Sequence, residues 1–172
     1  IQNIIGNGVV LDPIVFKREV ENLGKYNLDL HSNLFVSKKA SLILPTHALL
    51  DAAYERSKGD SKIGSTLRGI GPTYQDKIAR LGLRVGDVLS PNFADKYKKL
   101  VDAHKVILDF YAFDYSAALP QAEENFFAAI DFMKQFTLVD SEYVINGALT
   151  SGKSVLAEGA QGSLLDIDFG SY

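Results

Sequence analysis

Gly64-Ser65-Thr66-Leu67-Arg68-Gly69-Ile70-Gly71-Pro72-Thr73-Tyr74-Gln75-Asp76-Lys77-Ile78-Ala79-Arg80 is the stretch on which the reading of this chain turns. It gathers hydroxyls, glycines and a proline at the start of a basic helix. Exposed backbone N–H groups and the positive end of a helix dipole make such a segment receptive to an anion. Gly69 and Gly71 let the backbone turn its N–H groups inward, while Ser65 and Thr66 add hydroxyl donors. Pro72 is suited to open the helix, and Gly82 to close it. Lys77 and Arg80, three residues apart, are expected to share a helical face. The segment points toward a phosphorylated small molecule. The plain alternative is a flexible surface loop followed by a solvated Asp76–Arg80 pair at i,i+4 spacing.

Charge supports a local anion site. Between Arg56 and Arg84, seven basic residues (Arg56, Lys58, Lys62, Arg68, Lys77, Arg80, Arg84) face two acidic ones (Asp60, Asp76), inside a chain of net charge −3. The overall balance argues against nucleic acid or an acidic membrane as partner, so the positive patch belongs to the loop. The chain has no cysteine, which excludes disulfides, thiol chemistry and Cys-ligated zinc. No apolar run approaches the ~20 residues that cross a bilayer, and neither end resembles a targeting peptide. A cytoplasmic location is therefore expected. Residue 1 is Ile and the one methionine is Met133, so the chain reads as a piece of a longer protein.

Working outward from the loop, the pattern is that of an α/β protein, with 47% hydrophobic residues over 172 positions, enough for a sizeable core. Ile4 to Leu11 is apolar and glycine-punctuated, which predicts a buried strand or extended segment. Asp12-Pro13 then caps and opens a helix through Val15, Phe16, Val20 and Leu23, stopped by Gly24. A second strand region spans Leu34 to Leu44, interrupted at Lys38-Lys39, and Pro45 begins a helix running toward Lys58. Residues 57–71 form the glycine-rich loop, expected to be mobile; loops of ~15 residues are commonly functional. Leu83 to Leu89 reads as short and extended. Two long helices follow, one carrying Phe93, Tyr97, Leu100, Val101, His104, Leu108 and Tyr111 on its apolar face, the other reaching Phe136. A helix over Ser141 to Leu149 and a buried strand Val155-Leu156-Ala157 complete the pattern. The expectation is one domain: a mainly parallel sheet flanked by helices, with a largely helical insertion at about 90–150.

Other motifs are weighed on their mechanics. Gly147-Ala148-Leu149-Thr150-Ser151-Gly152-Lys153-Ser154 spells a P-loop. That device needs a strand before the loop and a helix after it, and here a helix ends at the glycine, so the motif reads as a helix stop. Glu158, Gln161 and Ser163 fall just past the expected strand 155–157, where open α/β sheets bind ligands. Gln161 offers both a donor and an acceptor to a base edge, or else satisfies nearby backbone as a turn residue. Glu158, Asp166 and Asp168 fit no metal template. His31, His47 and His104 are far apart in sequence, and each reads as a packed or hydrogen-bonded histidine.

Five ordered segments now carry a resemblance: Gly6-Asn7-Gly8-Val9-Val10-Leu11; Gly64 to Pro72; Asp76-Lys77-Ile78-Ala79-Arg80; Leu83-Arg84-Val85-Gly86-Asp87; and Glu158-Gly159-Ala160-Gln161-Gly162-Ser163-Leu164-Leu165-Asp166. In this order and register they resemble the adenylosuccinate synthetases, and the likeness runs the length of the chain. The resemblance implies a ligase that joins IMP and L-aspartate with GTP and Mg2+ to give adenylosuccinate, in which the 6-oxygen of IMP is phosphorylated and then displaced by the aspartate amine. It implies that Thr66 holds the IMP 5′-phosphate, that Arg80 crosses a homodimer interface to the partner's IMP, and that Gln161 hydrogen-bonds near the 6-oxygen. Arg68 and Lys77 match further basic positions near the site. It also implies that the catalytic aspartate, the catalytic histidine and the magnesium-binding phosphate loop precede Ile1, and that the guanine- and aspartate-binding parts follow Tyr172. The chain is thus expected to be a central portion that is inactive alone. Two departures are visible: Ser163 where threonine is common and Phe169 where histidine is frequent. A non-catalytic phosphate-binding or dimerisation module, and a nucleotide-binding P-loop using Lys153, are the rival readings.

Overall fold

The computed structural model describes residues 1–28, 30–61, 64–159 and 162. They fall into two compact units, Ile1–Ser141 and a second beginning at Glu142. In the first unit, β1 (Asn3–Ile5), β3 (Leu34–Ser37) and β5 (Thr137–Val139) form a parallel sheet in the order β1-β3-β5. Ile5 stands opposite Val36, and Val36 opposite Leu138. A second parallel pair joins β2 (Val10–Leu11) to β4 (Ser41–Leu42), with Leu11 opposite Leu42.

The helices follow from local chemistry. Asp12 Oδ1 accepts from the N–H groups of Ile14 (2.8 Å) and Val15 (3.2 Å), and Pro13 opens α1 (Pro13–Leu23), whose buried face is Pro13, Phe16 and Val20. A four-residue helix, α2 (Leu30–Asn33), precedes β3. Pro45 opens α3 (Pro45–Ser57), and α4 (Ile70–Ala79) follows the glycine-rich loop. The periodic apolar runs become α5 (Phe93–Phe110) and α6 (Leu119–Met133). α1 packs on α6, where the Phe16 ring meets Phe132 edge-on at a centroid distance of 6.3 Å. Val36, Leu42 and Leu44 from the strand region join Phe126, Ile130 and Met133 of α6 in one core. The expected parallel sheet flanked by helices, with its long helical stretch, is the observed architecture.

Several boundaries differ from expectation. The 4–11 segment divides at a turn over Asn7–Gly8 and serves two sheets. Leu83–Leu89 is a single antiparallel bridge, Arg84 to Ser41, followed by a 3-10 helix over Val85–Leu89, because Asp87 Oδ2 accepts the Arg84 N–H at 2.8 Å and curls the chain. The second long helix, α6, ends at Met133 rather than at Phe136, and β5 follows from Thr137. α4 starts at Ile70, before Pro72, and ends at Ala79 rather than at Gly82.

In the second unit, α7 (Ser141–Thr150) stops where Gly152 takes a φ of +76° and the Gly152 and Lys153 N–H groups close back on Leu149 and Ala148. Lys153 therefore follows a helix C-terminus, the reverse of a P-loop. Residues 153–159 form no strand, and Leu156 is 95% exposed, so the buried strand expected at 155–157 is absent. An apolar run becomes a strand only where an adjoining edge accepts its hydrogen bonds.

Candidate functional site

The glycine-rich loop is held by α3. One turn apart on that helix, Asp51 and Glu55 both turn their carboxylates to it. Glu55 Oε1 accepts the Gly64 N–H at 2.6 Å and the Ser65 N–H at 3.4 Å. Asp51 Oδ1 accepts the Ser65 hydroxyl at 2.6 Å, and its Oδ2 accepts the Gly69 N–H at 3.0 Å. Between these anchors Thr66, Leu67 and Arg68 are exposed. Of the donors expected to face a ligand, the Gly69 N–H and the Ser65 hydroxyl are thus engaged within the chain, while Thr66 and Arg68 are left exposed.

Gly69 fixes the far end of the loop. Its φ is +76°, and a Cβ there would lie 2.7 Å from the Ala48 N and the His47 carbonyl carbon. Only glycine permits this approach of loop to helix. The Gly69 carbonyl then accepts the buried Thr73 hydroxyl at 2.7 Å and the Thr73 N–H at 3.0 Å, starting α4.

Beneath the loop, three helices meet at one carboxylate. Asp76 Oδ2, from α4, is 2.9 Å from His47 Nε2 of α3 and 3.0 Å from His104 Nε2 of α5. The Leu44 N–H donates to His47 Nδ1 at 2.9 Å. A backbone N–H can only donate, so the His47 ring proton sits on Nε2 and is given to Asp76. His104 Nδ1 meets the Thr46 hydroxyl at 2.7 Å. Burial lowers the His47 pKa from its ordinary 6.5, partly offset by the Asp76 hydrogen bond. Burial would raise the Asp76 carboxyl, but the bonds from His104 and His47 outweigh it and hold the group far below the usual carboxylate range.

These three side chains lie within 4.8 Å of one another, close enough to suggest a metal site. The donor set does not fit one. An ion on His47 Nε2 would move the ring proton to Nδ1, against the Leu44 N–H, leaving two buried donors face to face. Magnesium, which prefers an octahedron of oxygens, suits two imidazoles and one carboxylate still less. The cluster is a clamp joining α3, α4 and α5.

The adenylosuccinate synthetase family model matches residues 1–172. The chain belongs to the adenylosuccinate synthetase family. It is 63% identical over 173 residues to the adenylosuccinate synthetase of Cytophaga hutchinsonii, covering 100% of this chain and 40% of that protein. Against the Christiangramia forsetii synthetase the figures are 56% over 170 residues, 99% of this chain and 40% of the relative. The structure of fully ligated adenylosuccinate synthetase from Plasmodium falciparum aligns with a TM-score of 0.82 and 32% identity, over 98% of this chain and 39% of that one. The chain thus spans about 40% of the length of the curated relatives it matches.

In this chain the expected site residues separate. Thr66 and Arg68 stand together before α4. Arg80 caps the other end of α4 in a left-handed conformation, φ 62°, and is exposed. Ten helical residues rise about 15 Å, so Arg80 and Thr66 occupy opposite ends of the helix. Lys77 is half-buried, its ammonium 5.3 Å from the Tyr74 ring centroid, and the helix ends before Arg80 can share its face. Both cations lie at the C-terminal end of α4. Asp76 pairs with two histidines, not with Arg80. Gln161 lies outside the described residues, as do Ser163, Asp166, Asp168 and Phe169; Glu158 is exposed. Sequence reading missed Asp51 and Glu55, although their i,i+4 spacing on a predicted helix beside the loop was a usable signal.

Proposed function

We propose that this chain supplies part of the IMP site of a GTP-dependent ligase that joins IMP to L-aspartate, forming adenylosuccinate in purine nucleotide synthesis. One observation carries the reading: an exposed Thr66–Arg68 apex on an anchored loop, in a chain similar to synthetases along its whole length. In this role the Thr66 hydroxyl donates to a 5′-phosphate oxygen and Arg68 adds a cation beside it. Arg80, about a helix length away, serves the IMP of a second copy across a homodimer interface. Gln161 donates near the 6-oxygen, where negative charge grows as phosphate is transferred. In the same reading, GTP and its Mg2+ are held mostly by parts of the synthetase outside this chain. The same reading makes the protein cytoplasmic.

The test uses a full-length synthetase carrying this sequence. Calorimetric titration with IMP should show Thr66→Ala and Arg80→Ala each weakening binding by about tenfold or more, as loss of a charge-assisted contact entails. Mixed dimers of the two variants should regain tight binding at one site per dimer. Unchanged affinity in Thr66→Ala refutes the phosphate role, and no recovery in mixed dimers refutes the exchange of Arg80.

A further inference from the structure

We propose that Asp51 and Glu55 are positioning residues that set affinity for the IMP phosphate without touching it, by latching the loop that presents Thr66 and Arg68. The inference rests on the phosphate reading above. Four donors, the Gly64, Ser65 and Gly69 N–H groups and the Ser65 hydroxyl, end on these two carboxylates. The bonds bracket the apex on both sides, residues 64–65 before it and 69 after it. Among the described residues, little else holds the apex down. Leu67 is 48% exposed, and an open cavity of about 310 Å³ lies between loop and helix, lined by Ala52, Glu55, Arg56, Gly64, Ser65 and Leu67. Polar bonds, not packing, therefore fix the backbone of the apex. The Ser65 hydroxyl also accepts the Leu67 N–H at 3.2 Å, passing the Asp51 anchor on to the apex.

The latch carboxylates are suited to this task. Glu55 is only 8% exposed, and Lys58 Nζ approaches its second oxygen at 3.3 Å. The Gly64 N–H, against the effect of burial and together with Lys58, holds the Glu55 carboxyl below its ordinary range, so it stays an acceptor at neutral pH. A loop released from the latch samples many conformations, and its apparent affinity falls by the fraction of time spent in the competent one.

The experiment measures steady-state kinetics of the full-length synthetase with Asp51→Ala, Glu55→Ala, Ser65→Ala and Glu55→Gln. Both loop bonds to Glu55 end on the same oxygen, so glutamine can keep them. The expected result is a rise of about tenfold in KM for IMP in the two carboxylate-to-alanine variants, with KM for GTP unchanged. Ser65→Ala, which leaves both carboxylates in place, shows a smaller rise in the same parameter, and Glu55→Gln returns close to wild type. Unchanged or tighter IMP binding in Asp51→Ala and Glu55→Ala, beside a weakened Thr66→Ala, overturns the latch while leaving the phosphate reading intact. If an alanine variant does not fold, equal KM values for IMP in Ser65→Ala and wild type overturn it. An unaffected Thr66→Ala removes the phosphate reading and the latch together.

Discussion

Asp76 Oδ2 sits 2.9 Å from Nε2 of His47, a side chain with no solvent exposure, so a buried neutral imidazole gives its one proton to a carboxylate. His104 adds a second N–H to the same oxygen. The arrangement binds three helices through a single acceptor and has consequences that can be measured.

Stability should depend on pH in one direction. The unfolded chain takes up a proton on His47 as pH falls through 6.5, whereas the folded imidazole, its pKa lowered by burial, resists it. The unfolded state then binds more protons, so stability is full above about pH 7 and declines as pH drops below 6.5. Asp76 acts in the same sense at lower pH, losing its contribution below its ordinary 3.8. Urea midpoints at pH 8, 6.5 and 5 should fall in that order, and the slope should flatten in His47→Gln. A midpoint that rises toward pH 5 contradicts the assignment.

The ring tautomer is directly observable. Nitrogen-15 shifts should show His47 protonated on Nε2 and bare on Nδ1 at pH 7, because the Leu44 N–H occupies Nδ1. Zinc added at equimolar concentration should leave those shifts unchanged. Zinc-induced movement of the His47 and His104 resonances would restore the metal reading.

Asp76→Ala leaves two N–H donors facing a void, one from His47 and one from His104. The expected loss is about 2–5 kcal/mol in chemical denaturation, from two unsatisfied, largely buried groups. Loss under about 1 kcal/mol would mean that the clamp contributes little.

At position 69 the restriction is steric. Gly69→Ala must place a methyl 2.7 Å from backbone atoms of α3 at a positive φ, so a loss of at least about 2 kcal/mol is expected in the same assay. Gly71→Ala, where nothing lies within 4 Å of the added carbon, is the control and should cost far less.

Lys153→Ala should leave nucleotide affinity unaltered in fluorescence titration, because Lys153 follows the end of α7 and its N–H returns to Ala148. Loss of GTP binding in this variant would revive the P-loop.

How legible all this was depends on the range of the interaction. α1 was readable because Asp12 and Pro13 carry their own start signal, and α5 because Phe93, Tyr97, Leu100 and Leu108 repeat on one face. Strand β5 was not, since its three residues become a strand only by pairing with β3. The end of α4 was hidden because Arg80 takes the left-handed cap usually given to glycine, two residues before the obvious stop at Gly82. Within the site, the loop itself was plain from its glycines, Thr66 and Arg68 were singled out by the family resemblance, and the anchors Asp51 and Glu55 were signalled by neither. The clamp was invisible for a topological reason: 29 and 28 residues separate Asp76 from its two histidines, and nothing local announces that three helices converge.

The ten residues of α4 finally act as a gauge. With the Thr66 apex at one end and Arg80 at the other, the helix converts residue count into distance and bearing. One residue inserted between Gly71 and Ala79 would advance Arg80 by about 1.5 Å and swing it by about 100°. A substitution of an exposed side chain along this helix leaves that spacing intact, whereas an insertion or deletion would misaim one end relative to the other even if every contact within the chain survived.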